Sequence, residues 1–429
     1  MKKLLCIICI LCAALSLTAC GGKTQEESAA GFKPSLDKNT RCTITVAGAY
    51  DNFEALEAEF DRFNAYYPNV QLSYVKLDDY NNILATALEG KDRPNIFFSY
   101  SWMIGNEQYD PVFAHTEDLS APALRLNLDC IRPGLIHHDA EGRVLMVPVF
   151  SRTYGMLVNN DLFQKEDLSV PNTMEELLNV CKELRSRGYS SPMMGYSLEA
   201  SSSVMNTIAY PQFAATLAEN PEALALANAL DPAAGEYMRP ALEEVQRLIQ
   251  EGCIDLEACD QISDNYTQVI LRFFEGDVPM MLCHGDTVSG TRKRESQSEA
   301  FTNAPFTYTF APVPLTDKGG YFIDSPSVEF SVNKDCENLD MTNEFMRFLI
   351  TKEQLNEMAS VKRLVTPTTD LSFDAVYAPF AQVPAERIIS PEALGITDPL
   401  TVQLRVAAFR VGKGELSIDE AAAMYGSFE

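Results

Sequence analysis

The stretch TITVAGAYDNFEALEAEFDRFNAYYPNVQLSYVKLDDYNNILATALEGKDRPNIFF (Thr43–Phe98) decides the fold class of this chain. It contains three segments with the character of strands. Residues 43–46 are rich in β-formers, residues 70–77 alternate apolar and polar side chains, and residues 95–98 form a short apolar run. Such segments bounded by Gly, Pro or Asn predict β-strands.

Helical patterns separate these strands. An apolar stripe that begins at Phe53 predicts one helix, for which Asp51 or Asn52 is a candidate N-cap. Residues 79–88 predict a second helix that ends at Gly90. The order strand–helix–strand–helix–strand indicates an α/β fold, with a parallel sheet covered by helices on both faces.

Length and charge limit the possible functions. The chain has 429 residues, and single cores stop growing near roughly 250–300 residues, so we expect two domains. The 60 acidic and 34 basic residues give a net charge of −26. This excess repels phosphate backbones and anionic lipid surfaces, so we expect no nucleic-acid partner. The longest basic run is Arg292-Lys293-Arg294.

The N-terminus has the pattern of a secretory signal. Lys2 and Lys3 precede an unbroken apolar run, Leu4–Leu15, which is short for a membrane-spanning helix. Leu17–Cys20 resembles a bacterial lipobox, so we expect residues 1–19 to be a signal peptide and Cys20 to carry lipid. An uncleaved anchor or a simple secretion signal is the alternative. The polar residues 20–40 predict a flexible tether.

Motifs for chemistry are scarce. The cysteines beyond Cys20 are scattered and odd in number, which does not suit a disulfide framework, although Cys253 and Cys259 remain a candidate pair. His137 and His138 are adjacent, and neighbouring residues of a strand face opposite ways, so a shared metal is disfavoured. We find no common hydrolase, metalloprotease or nucleotide-binding motif. The sequence therefore predicts no metal, no cofactor and a binding protein rather than an enzyme.

Further elements are predicted along the rest of the chain. Thr173–Glu176 fits a capping box that opens a helix. Residues 211–230, 236–251 and 342–349 also have helical patterns, whereas strands are predicted near residues 279–282, 307–310 and 328–332.

One family resemblance accounts for several of these segments together. EGRVLMVPVFSRTYGMLVNNDLF (Glu141–Phe163) is similar to a segment of the extracellular solute-binding proteins of ABC importers, in the branch of the maltose- and oligosaccharide-binding proteins. Other segments resemble the same family in the same order: Pro94–Ile96, Val170–Leu177, Phe274–Met281 and Glu415–Ala421.

The resemblance implies a type II periplasmic-binding-protein fold, in which two α/β lobes flank a ligand cleft and three hinge segments cross between them. By matching motifs, we place lobe one at residues 41–147 plus 286–331. Lobe two then comprises residues 148–285 plus 332–429. The crossings are expected near Pro148, near Cys283–Gly285 and near Val332.

In that arrangement, residues at predicted strand ends face the cleft. Trp102 is the single tryptophan, and an aromatic face can cover the apolar face of a sugar ring. Arg152 could bind paired hydroxyls or a carboxylate, or else form a salt bridge between the lobes. The aromatic residues could instead belong to the core, and the polar ones to the hinge. The predicted ligand-binding set is Tyr50, Tyr100, Trp102, Arg152, Tyr154, His284, Asp286 and Asp324.

These inferences predict a monomeric receptor that captures a mono- or oligosaccharide and delivers it to the permease subunits of an ABC transporter. It would be attached by its N-terminal lipid to the bacterial surface, or face the periplasm in a Gram-negative cell. One alternative keeps the fold but binds a polyol, a polyamine or a phosphorylated small molecule. A secreted carbohydrate-active enzyme and a surface adhesin without a cleft are weaker alternatives.

Overall fold

The computed structural model describes residues 32–198, 201–264 and 266–428. Residues Pro34–Glu429 form one compact unit. The predicted signal peptide and Cys20 lie outside the described residues. No helix within the described ranges is both long and apolar enough to cross a membrane.

The described strands, in chain order, are β1 Cys42–Gly48, β2 Val70–Lys76, β3 Ile96–Ser99, β4 Val147–Pro148, β5 Ser151–Arg152, β6 Tyr154–Asn159, β7 Met193–Met194, β8 Met280–His284, β9 Tyr308–Ala311, β10 Phe322–Ile323, β11 Ser325–Pro326, β12 Glu329–Val332 and β13 Ile388–Ile389.

The described α-helices are α1 Glu54–Asn64, α2 Tyr80–Glu89, α3 Asp110–Ala114, α4 Asn160–Lys165, α5 Met174–Ser186, α6 Ser203–Glu219, α7 Pro221–Asn228, α8 Gly235–Gln250, α9 Leu256–Cys259, α10 Thr267–Phe273, α11 Gly285–Ser289, α12 Thr291–Glu295, α13 Glu299–Asn303, α14 Leu339–Leu349, α15 Lys352–Lys362, α16 Pro391–Leu394, α17 Asp398–Gly412 and α18 Ile418–Ala423.

The first sheet has the strand order β2-β1-β3-β12-β4. Strand β1 is parallel to both β2 and β3, which confirms the parallel sheet predicted from residues 43–98. Strand β12 runs antiparallel to β3 and β4. The carboxyl ends of β1 and β3 therefore lie at the same edge of this sheet, where ligands of open α/β sheets bind.

Helix α1 covers this sheet with the predicted apolar stripe, since Leu56, Phe60 and Phe63 are buried. The predicted cap is wrong: the N-cap residue is Phe53, without a side-chain cap bond. Asp51 instead accepts a 2.8 Å hydrogen bond from Lys76 Nζ. A polar side chain before a helix can bond elsewhere when a cation on the neighbouring strand is close.

Helices α14 and α15 belong with the first sheet. The Phe345 ring on α14 lies 5.7 Å from Phe60 and 5.1 Å from Phe63 on α1, centroid to centroid. Residues 332–362 were predicted in lobe two, and this assignment is wrong. The helical pattern of residues 342–349 indicated an apolar face but not which lobe it covers.

The second sheet has the order β7-β8-β6-β9. Strand β6 pairs antiparallel with β8 and, on its other side, with β9. Residues 286–331 were predicted in lobe one, and for β9 this is wrong, because the chain forms α11–α13 after β8 and returns to the same sheet. Residues Val365–Phe428 contribute to the same core as β6 and β8.

The core of the second lobe contains four cysteines: Cys181, Cys253, Cys259 and Cys283. All seven cysteines of the described residues are free, so the candidate Cys253–Cys259 pair is wrong. Burial raises the pKa of the Cys259 thiol to about 11. These thiols act as small apolar side chains.

Three connecting segments lie side by side between the sheets. Strands β5 and β11 pair antiparallel. Ser327 N donates to Phe150 O at 2.9 Å, and Ser151 N donates to Val365 O at 2.9 Å. The second and third crossings predicted at residues 283–285 and 332 are wrong, since the chain changes sheets between β9 and β12 and again after α15.

Part of the predicted tether is docked on the first lobe. Ser35 donates to Glu344 from its backbone N and its Oγ, both at 2.7 Å. Leu36 N donates to Tyr67 Oη at 3.1 Å. The compact unit therefore begins at Pro34 rather than at residue 41.

Candidate functional site

A cavity of about 610 Å³ lies between the two sheets. On the side of the first sheet, its lining consists of the residues that follow β1, Tyr100 and the end of α15. On the side of the second sheet, the lining consists of Arg152 and residues on and around α11 and α12. The lining includes Tyr50, Asp51, Glu54, Tyr100, Arg152, Tyr266, Asp286, Arg292, Lys293, Arg294, Ser327 and Lys362.

Aromatic side chains are held at the first-sheet edge of this cavity. The Tyr50 ring packs edge-on against Phe53 and Phe98, each at a centroid distance of 5.3 Å. Tyr100 follows β3 directly, and its ring is stacked on Trp102 at 5.8 Å with 14° between the planes. Buried Tyr109 meets Trp102 edge-on at 5.3 Å. These contacts hold Tyr100 and Trp102 in one orientation, as a preformed platform.

Trp102 does not line the first cavity. It lines an adjoining cavity of about 740 Å³, which also contains Asn81, Asn82 and Gln108. The two cavities share Ala49 and Tyr100. Tyr100 therefore joins the two spaces, and a ligand longer than one ring could extend from one to the other.

Arg152 and Asp286 form an ion pair at the base of the first cavity. Arg152 Nη1 lies 2.6 Å from Asp286 Oδ2, and Ser327 Oγ donates to Asp286 Oδ1. Burial disfavours the charge of Asp286, but the Arg152 guanidinium and His284 hold the pKa of that carboxyl well below its usual range. The pair joins β5 of the hinge to α11 of the second lobe.

Three predicted residues lie away from both cavities. Tyr154 packs against Tyr210, with ring centroids 5.1 Å apart. His284 lies behind Asp286, with Nδ1 3.5 Å from Oδ2. Asp324 is 3% exposed, and it accepts bonds from Arg132 and Ser151. Tyr50, Tyr100, Arg152 and Asp286 line the first cavity, and Trp102 the second.

Several cavity residues are absent from the predicted set: Tyr266, Arg292, Lys293, Arg294 and Lys362. The run Arg292–Arg294 was noticeable in the sequence as the longest basic run. Nothing local indicated that α12, which carries it, faces the carboxyl edge of the first sheet. Lys362 ends α15 and reaches the Tyr50 ring, with Nζ 5.0 Å from the ring centroid.

The described residues contain no group of three or more His, Cys, Asp or Glu side chains that could hold a metal. The site offers aromatic faces, hydrogen-bonding groups and charged side chains. Its chemistry is suited to holding a polar solute of small to moderate size, since cavities of roughly 300–1,000 Å³ are typical of small-molecule sites.

Several solved structures share the fold. The apo form of RafE from Streptococcus pneumoniae is 16% identical, with a TM-score of 0.66, and the similarity covers 92% of this chain and 98% of that one. A sugar transporter protein of Bacillus licheniformis, solved with stachyose, is 17% identical with a TM-score of 0.61, over 90% and 99% of the two chains. These similarities confirm the predicted fold class.

The GacH receptor of Streptomyces glaucescens gives a TM-score of 0.64 at 17% identity, over 90% of this chain and 97% of that one. No curated protein matches the chain. Residues 58–384 match the family described as bacterial extracellular solute-binding protein. Because that match spans most of the sequence, the chain belongs to the bacterial extracellular solute-binding proteins.

Proposed function

We propose that this protein captures a carbohydrate between its two lobes and delivers it to the permease subunits of an ABC importer. Solved proteins of similar fold support the choice of solute: one is in complex with stachyose, RafE has been solved with raffinose, and GacH with acarbose. The proposal therefore assigns a saccharide rather than a polyol or a polyamine to the cleft.

The observation that carries this proposal is the aromatic platform beside the cavity. Tyr100 and Trp102 are stacked and both partly exposed, at the point where two cavities of about 610 and 740 Å³ meet. Rigid aromatic faces with polar groups around them suit a sugar ring, which has apolar C–H faces and a rim of hydroxyls. Buried core aromatics would not offer a free face.

Capture is proposed to proceed by hinge closure. The connecting segments around β5, β11 and Val365 are hydrogen-bonded side by side, so a change of backbone angles there would move the lobes as bodies. The solute favours closure only if the closed form makes contacts that the open form lacks. Tyr50 and Tyr100 on one side, with Arg152 and Tyr266 on the other, are placed to make such contacts.

Binding without catalysis is part of the proposal. A glycosidase needs one carboxyl group that stays protonated near neutral pH. The pKa of Asp286 is held low against burial by Arg152, and the bond from Lys76 lowers the pKa of Asp51. Neither group is therefore a suitable proton donor, and Glu54 is the one other carboxyl group of the described residues that lines the cavity.

The location follows from the family and the lipobox resemblance. We propose that Cys20 carries lipid and keeps the protein on the outer face of the bacterial membrane. Replacing Cys20 by Ala should release the protein from membrane fractions or block its processing. A variant that fractionates and migrates like the parent would contradict the lipid anchor.

The test of capture uses the single tryptophan. Titrating the purified protein with raffinose, stachyose and a panel of charged and uncharged saccharides should change the fluorescence of Trp102. Trp102→Ala removes this fluorophore, so its binding is measured by calorimetry. Loss of the platform should weaken binding by about tenfold to a thousandfold, which corresponds to about 1.4–4.2 kcal/mol.

Tyr66→Ala is the control, because Tyr66 is 36% exposed and does not line either cavity. It should bind like the parent. If no saccharide of either kind shifts the fluorescence or the melting temperature, the capture proposal is wrong.

A further inference from the structure

The cleft is basic in a protein that is strongly acidic. The first cavity is lined by five cationic side chains, Arg152, Arg292, Lys293, Arg294 and Lys362, and by three carboxylates, Asp51, Glu54 and Asp286. The whole chain has a net charge of −26. Acidic residues outnumber basic ones in the chain as a whole. The charge of the cavity lining is therefore opposite in sign to the net charge of the protein.

Some of these charges are already paired within the protein. Arg152 binds Asp286 at 2.6 Å. Arg292 Nη2 lies 2.9 Å from Asp374 Oδ2, and Asp51 Oδ1 lies 2.8 Å from Lys76 Nζ. These pairs neutralise two of the cations and two of the carboxylates.

Three cations remain. Lys293, Arg294 and Lys362 form no ion pair with any carboxylate among the residues that the structure describes. Arg294 lies over the Tyr266 ring, with Cζ 5.2 Å from the ring centroid, and Lys362 lies over Tyr50. Aromatic faces favour a cation without neutralising it, and Glu54 is the single cavity carboxylate left over.

These three cations approach the cavity from opposite lobes. Lys293 and Arg294 lie on α12, beside the second sheet, and Lys362 ends α15, which packs on the first. Burial lowers the pKa of Lys362, Glu54 opposes this, and Lys293 and Arg294 lower the pKa further. The like charges therefore already repel one another across the cleft, and closure would bring them closer together.

We propose that the solute of this protein is an anionic saccharide, whose charged group binds between Lys293, Arg294 and Lys362 while its ring contacts Tyr50 or Tyr100. This inference rests on the proposed capture of a carbohydrate and names its class. An anion between the lobes converts the repulsion into attraction, and this is the differential contact that closure requires. A neutral sugar leaves the three cations unpaired.

The experiment compares matched saccharides that differ in one acidic group. The first pair is xylotriose carrying a glucose branch and the same tetrasaccharide with glucuronic acid as the branch. Glucose is compared with glucuronic acid, glucose 6-sulfate and glucose 6-phosphate, and inorganic phosphate is tested alone. Calorimetry should give at least about tenfold tighter binding for one acidic member, corresponding to 1.4 kcal/mol. That preference should weaken between 0.05 and 0.5 M NaCl, because salt screens exposed charges.

The pairs identify the source of the charge: a uronate, a sulfate ester or a phosphate ester. Equal binding of both members of every pair, or a preference for the neutral ones, overturns the anion assignment and leaves carbohydrate capture intact. Binding of inorganic phosphate without any saccharide overturns both. If none of these probes binds while raffinose or stachyose does, the anion assignment is overturned and carbohydrate capture stands. If no saccharide binds in either experiment, both proposals are wrong.

A matched pair of variants tests the residues themselves. Lys293 is exposed, so Lys293→Gln should leave the fold intact. It should reduce the affinity for the acidic saccharide by about tenfold. Affinity for the neutral member should fall by much less than this. Lys182→Gln makes the same charge change at an exposed position of α5, outside the cavities, and should bind like the parent. Equal affinities in the two variants would overturn the role given to Lys293.

Discussion

Replacing Asp324 by Ala should destabilise the protein, although the sequence placed Asp324 among the ligand-binding residues. Its carboxylate accepts a two-pronged bond from Arg132, at 2.6 Å from Nε and 2.7 Å from Nη2. Ser151 Oγ donates to the same carboxylate at 2.6 Å. Arg132 also donates to the carbonyls of Thr366 and Thr368. Asp324 thus joins three of the segments at the hinge.

The magnitude follows from burial. Removing one partner of a buried ion pair leaves the other charge without compensation, at a cost of about 3–5 kcal/mol. Unfolding entropy of roughly 2.1 cal/mol/K per residue over the compact unit corresponds to roughly 0.8 kcal/mol/K. The melting temperature without solute should therefore fall by about 4–6 °C. The melting temperature of Asp324→Asn should fall by less, because asparagine keeps the shape of the side chain and one acceptor oxygen.

The assay is thermal melting followed by circular dichroism, with Asp317→Ala as the control. Asp317 is exposed and makes no side-chain ion pair among the described residues, so its variant should melt like the parent. Saccharide binding is measured in parallel. If Asp324→Ala melts like the parent but binds the solute more weakly, the carboxylate contacts the solute and its structural role at the hinge is refuted.

Three further predictions concern packing, pH and redox state. Gly235→Ala should lower the melting temperature, because its Cβ would lie 1.9 Å from the Ala422 carbonyl oxygen. Gly90→Ala is the control and should have little effect, since its Cβ would lie 3.4 Å from the nearest atom. Equal melting temperatures of the two variants would contradict this prediction. Burial raises the pKa of Glu392 to about 8. The folded protein then binds this proton more tightly than the unfolded chain, so stability should fall as the pH rises from about 4.5 to 8. Thermal melts across that range should show a smaller fall in Glu392→Gln, and an identical fall would refute the assignment. Melts with and without reductant should coincide, because the cysteines of the described residues are free; a drop of more than about 5 °C would indicate a required disulfide.

Local patterns predicted part of the secondary structure and the three parallel strands of the first sheet, but not its antiparallel strands β12 and β4. Strands β1, β2 and β3 and the helices between them were predicted from residues 43–98, because periodicity and stop signals act over a few residues and the parallel connection follows from the helix between two strands. The resemblance to solute-binding proteins then implied that the aromatic residues after those strands, Tyr50 and Tyr100, face a ligand cleft. The family resemblance added the second lobe.

Only the tertiary structure decided which lobe the later segments join. Strand β9 and helices α14 and α15 have clear patterns, but an apolar face does not specify which distant surface will cover it. For the same reason, the sequence did not show that the carboxylate of Asp324 binds Arg132, which lies 192 positions away in the chain, rather than a solute. The basic run Arg292–Arg294 was visible in the sequence, yet its place opposite Lys362 depends on how α12 and α15 pack. The positive charge of the cleft comes from side chains of both lobes, so neither the sequence of α12 nor that of α15 predicts it alone.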